Sequence, residues 1–385
     1  MFLEKTVERN KELVQAAFNL HREGLILPDT YVIDLDTLIE NAKKIKEEAD
    51  KYGIKLYFMT KQLGRNPIIS KEFMKLGYEG AVVVDFREAE VMINNNIKIG
   101  HVGHLVQIPK VLIEKVVKSR PDYITIYSIE KAKEINEACE KLGLKQNIML
   151  RVLGENDNLY SGQYGGFKLE ELKYIGEELI KLKNLNIAGI TSFPCFLYDT
   201  NSNEIKRTKN IDTIKEAKEI LEREFDLSIE QLNMPSATCV NSIKKIYEEG
   251  GTHGEPGHGL TGTTPYHKHN NGDELPAIVY VTEVSHNLLD KGYCYGGGHY
   301  RRSHMENALV GEDLEKSKII KVIPPTDESI DYHFELSENC KVSDTVIMAF
   351  RTQIFVTRSN VALVKGIQKG KPEIVGIYDS QGKQI

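Results

Sequence analysis

Between residues 31 and 238 the chain alternates between short apolar runs and charged stretches of helical spacing. The runs are YVIDLDTL (31–38), KLYFMTK (55–61), GAVVVD (80–85), KIGHVGHL (98–105), YITIYS (123–128), NIMLRVL (147–153), NIAGITSF (186–193) and QLNMPSAT (231–238). The segments LIENAKKIKEEADKYG and IEKAKEINEACEKLG between them read as amphipathic helices. The second puts Ala132, Ile135, Ala138 and Leu142 on one face, and both stop at a glycine. Strands joined by helical crossovers run parallel, and a parallel sheet is covered on both faces. Eight such strands predict a (β/α)8 TIM barrel, with an open doubly wound sheet as the alternative. No glycine-rich dinucleotide fingerprint follows the first strand.

The pattern changes after about residue 265. Period-two segments now follow one another without long helices: AIVYVTEVSH (277–286), KSKIIKVIPP (316–325), DTVIMAFRTQIFVT (344–357), VALVKGI (361–367) and PEIVGIYD (372–379). They predict an antiparallel β domain. With 385 residues, the chain divides into an N-terminal helix (1–24), a barrel (25–265) and a C-terminal β domain (266–385).

A formal charge of −6 and the absence of a dense basic run leave a nucleic-acid role unsupported. No apolar run is long enough to span a bilayer. The first 24 residues are charged and lack the apolar stretch of a secretory signal. Five scattered cysteines without a CxxC pair predict free thiols in a reducing cytoplasm. Seven of the eleven histidines fall in 253–304, yet no HExxH or other ligand spacing appears, so no metal site is predicted.

Three segments carry candidate chemistry. Lys61 ends the second apolar run, where a barrel presents its active face. A strand-end lysine shielded from water has a lowered pKa and can condense with an aldehyde, although a surface lysine just past a strand reads the same way. The stretch THGEPGHGLTGTTP (252–265) follows the last predicted strand; Gly257 and His258 could offer amides to an anion, or the segment is a domain connector. Ser236, Ala237 and Thr238 could add a hydroxyl and further amides. In KGYCYGGGHYRRSH (291–304), Tyr293, Tyr295 and Tyr300 surround three glycines, as acid/base candidates or as an aromatic turn.

YVIDLDTLIENAKKIKEEADKYG followed by KLYFMTK resembles the opening of the alanine racemase fold, fold-type III of the pyridoxal-phosphate (PLP) enzymes. Asp34, Leu35, Asp36, Leu38 and Asn41 match its "DLdaLxxN" strand, and Lys61 matches its Schiff-base lysine. EPGHGLTG resembles the "EPGR" phosphate segment, and CYGGGHYRR resembles the "YGDGYPR" tyrosine segment. The resemblance runs through nearly the whole chain and is closest to the YhfX-like group.

The resemblance implies an amino-acid racemase with PLP. Lys61 would form the aldimine and act as one base, and Tyr295, from the second subunit of a homodimer, as the opposite-face base. Glu255 would face the pyridine nitrogen; Gly257, His258 and Ser236, flanked by Ala237 and Thr238, would cradle the phosphate. Arg151 would stand near the substrate carboxylate and Gln163 near the ring. QLGRNP after Lys61 departs from the family's "ANAYGHG", so its phosphate tyrosine is missing, with Arg65 or the 252–265 loop as a stand-in. VIMAFRTQIF (346–355) stands in the region of the "CMDQ" substrate loop. Phe193 and Cys195 would line the pocket. Cys294 keeps a PLP decarboxylase open, since that chemistry in this fold uses a β-domain cysteine. A D-amino-acid lyase, a non-catalytic PLP carrier and a phosphate-sugar barrel with a substrate Schiff base are further alternatives.

Overall fold

The computed structural model describes residues 2–385. It divides into two compact units that interleave in sequence. One comprises residues 45–60 and 70–257, and the other residues up to 44, 61–69 and 258–385.

The first unit is a closed ring of eight parallel strands. They are Lys55–Met59, Gly80–Val83, Ile99–Val102, Tyr123–Ile126, Gln146–Leu153, Leu185–Thr191, Gln231–Asn233 and His253–Gly254. The last closes on the first through the pairs His253–Lys55 and Gly254–Leu56. The helix Ile129–Leu142 covers the ring with Ala132, Ile135, Ala138 and Cys139, starts on the Ser128 cap and ends at the left-handed Gly143. Gly100 has to be glycine, because a Cβ there would come within 2.2 Å of the Tyr57 ring inside the ring of strands.

The barrel is the expected one, but its strands are shifted by one. The run at 31–38, expected as the first barrel strand, is a strand only over Thr30–Asp34. It pairs parallel with Asn360–Lys365 and antiparallel with Ile278–Leu288, so it belongs to the β unit. The eighth barrel strand is instead the two-residue His253–Gly254, inside the segment read as a loop. Periodicity reports that a stretch is extended and buried. It does not report which distant strand becomes its partner.

The second unit holds a six-stranded antiparallel ring: Ile278–Leu288, Lys291–Tyr295, His333–Leu336, Lys318–Ile323, Asn307–Gly311 and Thr345–Met348, which returns to the first. Thr30–Asp34, Asn360–Lys365 and Glu373–Tyr378 extend the sheet beyond it. The N-terminal segment, expected as one helix, is two, Phe2–Arg9 and Lys11–Arg22. They break at Asn10, whose Oδ1 accepts from the Leu13 amide at 3.1 Å and whose Nδ2 donates to the Pro276 carbonyl at 2.8 Å. Val14, Ala17 and Phe18 of the second helix pack into a core with Val279, Val281 and Ile347 of the sheet.

The Asp34–Asn41 motif has a structural meaning. Asp34 ends its strand and caps the helix Leu35–Lys51, taking the Thr37 amide on Oδ1 at 3.1 Å and the Thr37 hydroxyl on Oδ2 at 2.7 Å. Gln368 also donates to Oδ2, at 2.8 Å. Leu35 and Leu38 are buried, and the Asn41 amide donates to the carbonyls of Leu260 and Leu275. The Asp34→Ala variant therefore loses a cap and leaves buried donors without an acceptor. We expect a loss of about 2–4 kcal/mol, read by urea unfolding. A loss below 0.5 kcal/mol, the size of an ordinary surface change, contradicts this role.

Candidate active site

The barrel unit carries a polar cluster at the ends of its strands. Glu255 follows the His253–Gly254 strand and is 3 % exposed. Its Oε1 accepts two hydrogen bonds, from Nδ1 of His101 at 2.7 Å and from Nδ2 of Asn233 at 2.7 Å. A carboxylate can only accept, so the His101 proton is on Nδ1. The other ring nitrogen meets the Thr125 hydroxyl. Thr125, His101 and Glu255 thus form a buried chain supplied by three strands. Burial alone would raise the Glu255 pKa. The charge and hydrogen bond of His101, the charge of His104 and the Asn233 amide outweigh it and hold the carboxyl down at about 2. Oε2 is buried and has no donor among the described residues.

Arg151, on the Gln146–Leu153 strand, is fully buried. Nη1 donates to the Tyr127 hydroxyl and Nη2 to the Gln163 carbonyl, each at 2.7 Å, while Nε has no acceptor. The His104 ring lies 5.1 Å from that of His101 and edge-on to Phe193 at 5.5 Å. Cys195 is buried, donates to the Ser192 carbonyl at 3.2 Å, and burial drives its thiol pKa well up.

Next to Glu255 in the same unit, the backbone is strained. Ser236 and Ala237 have φ of 97° and 51°, consecutive left-handed residues that are not glycine. Backbone amides of turns can be presented to an anion. Among the described residues neither amide donates to a backbone carbonyl. Thr238 accepts the Glu255 amide on its hydroxyl at 3.3 Å. Gly257 is the last residue of this unit.

Lys61, His258 and Tyr295 belong to the other unit. Lys61 opens a single helical turn, Lys61–Leu63, and is half-buried. The Gln62 carbonyl accepts the Thr352 hydroxyl at 3.1 Å, and Nε2 of His258 donates to the Thr352 carbonyl at 3.0 Å. Burial, then the charges of Arg351 and Lys61, drive the His258 pKa well down, so its ring stays neutral. Arg65 is a framework residue: it is buried, bonds Gln381 at 2.6 Å and stacks on Phe355.

The tyrosine and cysteine of 294–295 point oppositely, as neighbours on a strand must. Cys294 is fully buried, and burial pushes its thiol up to about 12. Tyr295 is 41 % exposed. The Cys294 thiol is therefore protonated at neutral pH.

Sequence reasoning missed His101, Asn233 and Thr125. The signal was present in GHVGH, where two histidines end an apolar run, but only the barrel brings them to Glu255. Among the described residues no group of three or more His, Cys, Asp or Glu side chains is arranged to hold a metal ion.

The barrel cluster predicts a pH dependence. His253 stacks on Tyr57 at 5.3 Å, and burial lowers its pKa to about 3. Its folded pKa lies below the ordinary imidazole value of about 6.5. Its contribution is therefore complete above pH 6.5 and lost as the pH falls toward 3. Removing it in His253→Gln should narrow the stability gap to wild type by up to about 1.4 kcal/mol per pH unit below 6.5. Thermal unfolding between pH 7 and 5 measures this, and a constant gap contradicts it.

Residues 33–265 match the family model "Alanine racemase, N-terminal domain", and residues 279–374 match "YhfX-like, C-terminal domain". The chain is 44% identical to "Uncharacterized protein YhfX" of Escherichia coli K12 over the full length of both. It is 27% identical to "Ornithine racemase" of Acetoanaerobium sticklandii, over 55% of this chain and 57% of that one. Among solved structures it resembles the D-threonine aldolase of Filomicrobium marinum, with a TM-score of 0.66 at 14% identity over 92% of this chain and 95% of that one. The barrel, the β ring and these matches place the chain in the YhfX-like branch of the alanine racemase-fold, PLP-dependent enzyme family.

Proposed function

We propose that the chain is a PLP-dependent amino-acid racemase acting as a homodimer in a reducing cytoplasm. The observation that carries the reading is the lone Oε2 of Glu255, a buried anionic acceptor with no donor of its own, which fits a protonated pyridine nitrogen. The Ser236–Ala237 turn, whose amides have no backbone acceptor among the described residues, fits the phosphate with Thr238 and Gly257, and Lys61 fits the covalent anchor. His258, held neutral, supports the Thr352 carbonyl beside Lys61. Arg151 and Gln163 hold one wall of the barrel cluster. All five cysteines are free thiols. Among the described residues no helix is long and apolar enough to cross a membrane.

Bound in this way, PLP supplies an electron sink that acidifies the Cα–H bond of a condensed amino acid. The chain's own residues do the rest. Glu255 stays ionised and keeps its acceptor oxygen fixed by His101 and Asn233. Lys61 takes or returns the Cα proton on one face. The exposed Tyr295 phenol serves the other face, from the partner subunit. Matching each base to its face sets the stereochemistry.

A carboxylate at this position gives the strong electron sink that decarboxylases also use. The buried Cys294 speaks against the thiol-dependent form of that reaction. A D-amino-acid lyase shares the same cofactor residues and is separated by its products. A non-catalytic carrier would take up PLP without exchanging a Cα proton.

Three measurements test the reading. Protein loaded with PLP should be yellow, and borohydride should trap the label on Lys61 by peptide mapping; a label on another lysine, or none, contradicts it and favours the phosphate-sugar barrel. Chiral chromatography with a panel of amino acids in deuterated water should show inversion with deuterium at Cα. Tyr295→Phe should lower turnover by about 10²- to 10⁴-fold, the usual contribution of one acid/base group, while Cys294→Ala stays within a few-fold. The reverse ranking of these two variants contradicts the assignment.

A further inference from the structure

Arg351 is a cation that the fold does not use. It follows the strand Thr345–Met348 in the unit that carries Lys61. Its amide donates to the Ser303 carbonyl at 2.9 Å, which fixes the backbone. The next residue, Thr352, is tied to Gln62 by its hydroxyl and to His258 by its carbonyl. Arg351 is therefore one residue from a point bonded to the neighbour of Lys61. Its side chain is half-buried, and Nε is fully shielded with no acceptor. Among the described residues no carboxylate pairs with its guanidinium.

A guanidinium in this state is costly. A shielded N–H without a partner loses its water and gains nothing, and structural arginines nearly always find an acceptor. Nε of Arg65 in the same unit is buried without a hydrogen-bond partner too, but its Nη1 donates to Gln381 at 2.6 Å and its guanidinium lies over the Phe355 ring, and Arg351 has no such side-chain contact among the described residues. Further positive groups act, with Arg351, on two histidines. His258 feels Arg351, Lys61 and Arg302, all positive, and His304 feels Arg351, Lys268 and Arg302 with only Glu306 opposing them. An oxyanion would satisfy the open N–H of Arg351.

We propose that Arg351 is the carboxylate-binding residue of the substrate site, pairing with the α-carboxylate of the amino acid that reacts at Lys61. The inference rests on the function proposed above. A carboxylate is favoured over the cofactor phosphate because the barrel unit already offers the Ser236 and Ala237 amides, which donate to no backbone carbonyl among the described residues, to a phosphate. The planar fork of arginine accepts a carboxylate through two parallel hydrogen bonds, which a lysine cannot reproduce. Holding the carboxylate also fixes the direction of the Cα–H bond, which is what proton exchange between two opposed bases requires.

The test uses PLP-loaded wild type, Arg351→Gln and Arg351→Lys, with matched thermal melts. Each is titrated with L-alanine, L-ornithine and L-glutamate and with the α-amide of each, following the absorption of the bound cofactor. Affinities for PLP and for pyridoxal, which lacks the phosphate, are measured in parallel. Wild type should prefer the acids over their amides. Arg351→Gln should lose that preference by about 10- to 100-fold, with PLP affinity unchanged, and Arg351→Lys should retain part of it. An unchanged preference in Arg351→Gln overturns the proposal. So does weakened PLP binding with unchanged pyridoxal binding, which would assign Arg351 to the phosphate. If loaded wild type responds to no amino acid, the carboxylate site is also overturned. Failure of wild type to take up PLP at all strikes the functional reading itself, and is distinguished from the other outcomes before any variant is compared.

Discussion

A carboxylate sealed from water needs donors, and in this barrel Glu255 has them on one oxygen only. His101 and Asn233 both bind Oε1, and Thr125 closes the chain behind His101. The arrangement does two things together. It keeps the group ionised against a burial penalty that would otherwise neutralise it. It also leaves Oε2 as a carboxylate oxygen without a donor among the described residues. The four residues come from four strands or strand ends, so the cluster exists only if the ring closes. Closure depends on a strand of two residues, His253–Gly254, which leads directly into Glu255.

The second unit treats its polar groups differently. Asp34, Asn10, Gln368 and Asn41 spend their hydrogen bonds on holding helices and loops to the sheet. Arg65 does the same for the turn after Lys61. Arg351 keeps a shielded Nε without an acceptor, and His258 is kept neutral by burial and by the charges of Arg351 and Lys61. A rigid framework with a few uncommitted polar atoms is the expected form of a binding site.

Much of this was legible in the sequence, and the failures have physical causes. The alternation of strand and helix gave the barrel class, and the period-two segments gave the β domain. Lys61 stood out because a buried strand ended in an ammonium group. The assignment of Thr30–Asp34 failed because strand pairing is a long-range property, here with residues some 250 to 330 positions away. His253–Gly254 was invisible because two residues carry no period. Glu255 was found through a motif, but its clamp was not, since His101 and Asn233 are 154 and 22 residues away from it. The alternative offered by Cys294 was open in the sequence, and the strand's alternation settles its orientation by burying the thiol.

The most direct measurement is the ¹⁵N chemical shift of ring-labelled PLP bound to the wild type and to Glu255→Gln, across pH 5 to 9. If Oε2 of Glu255 is the partner of the ring nitrogen, the wild type reports a protonated nitrogen throughout that range and Glu255→Gln a neutral one. A neutral nitrogen in the wild type, or the same shift in both proteins, would contradict the account.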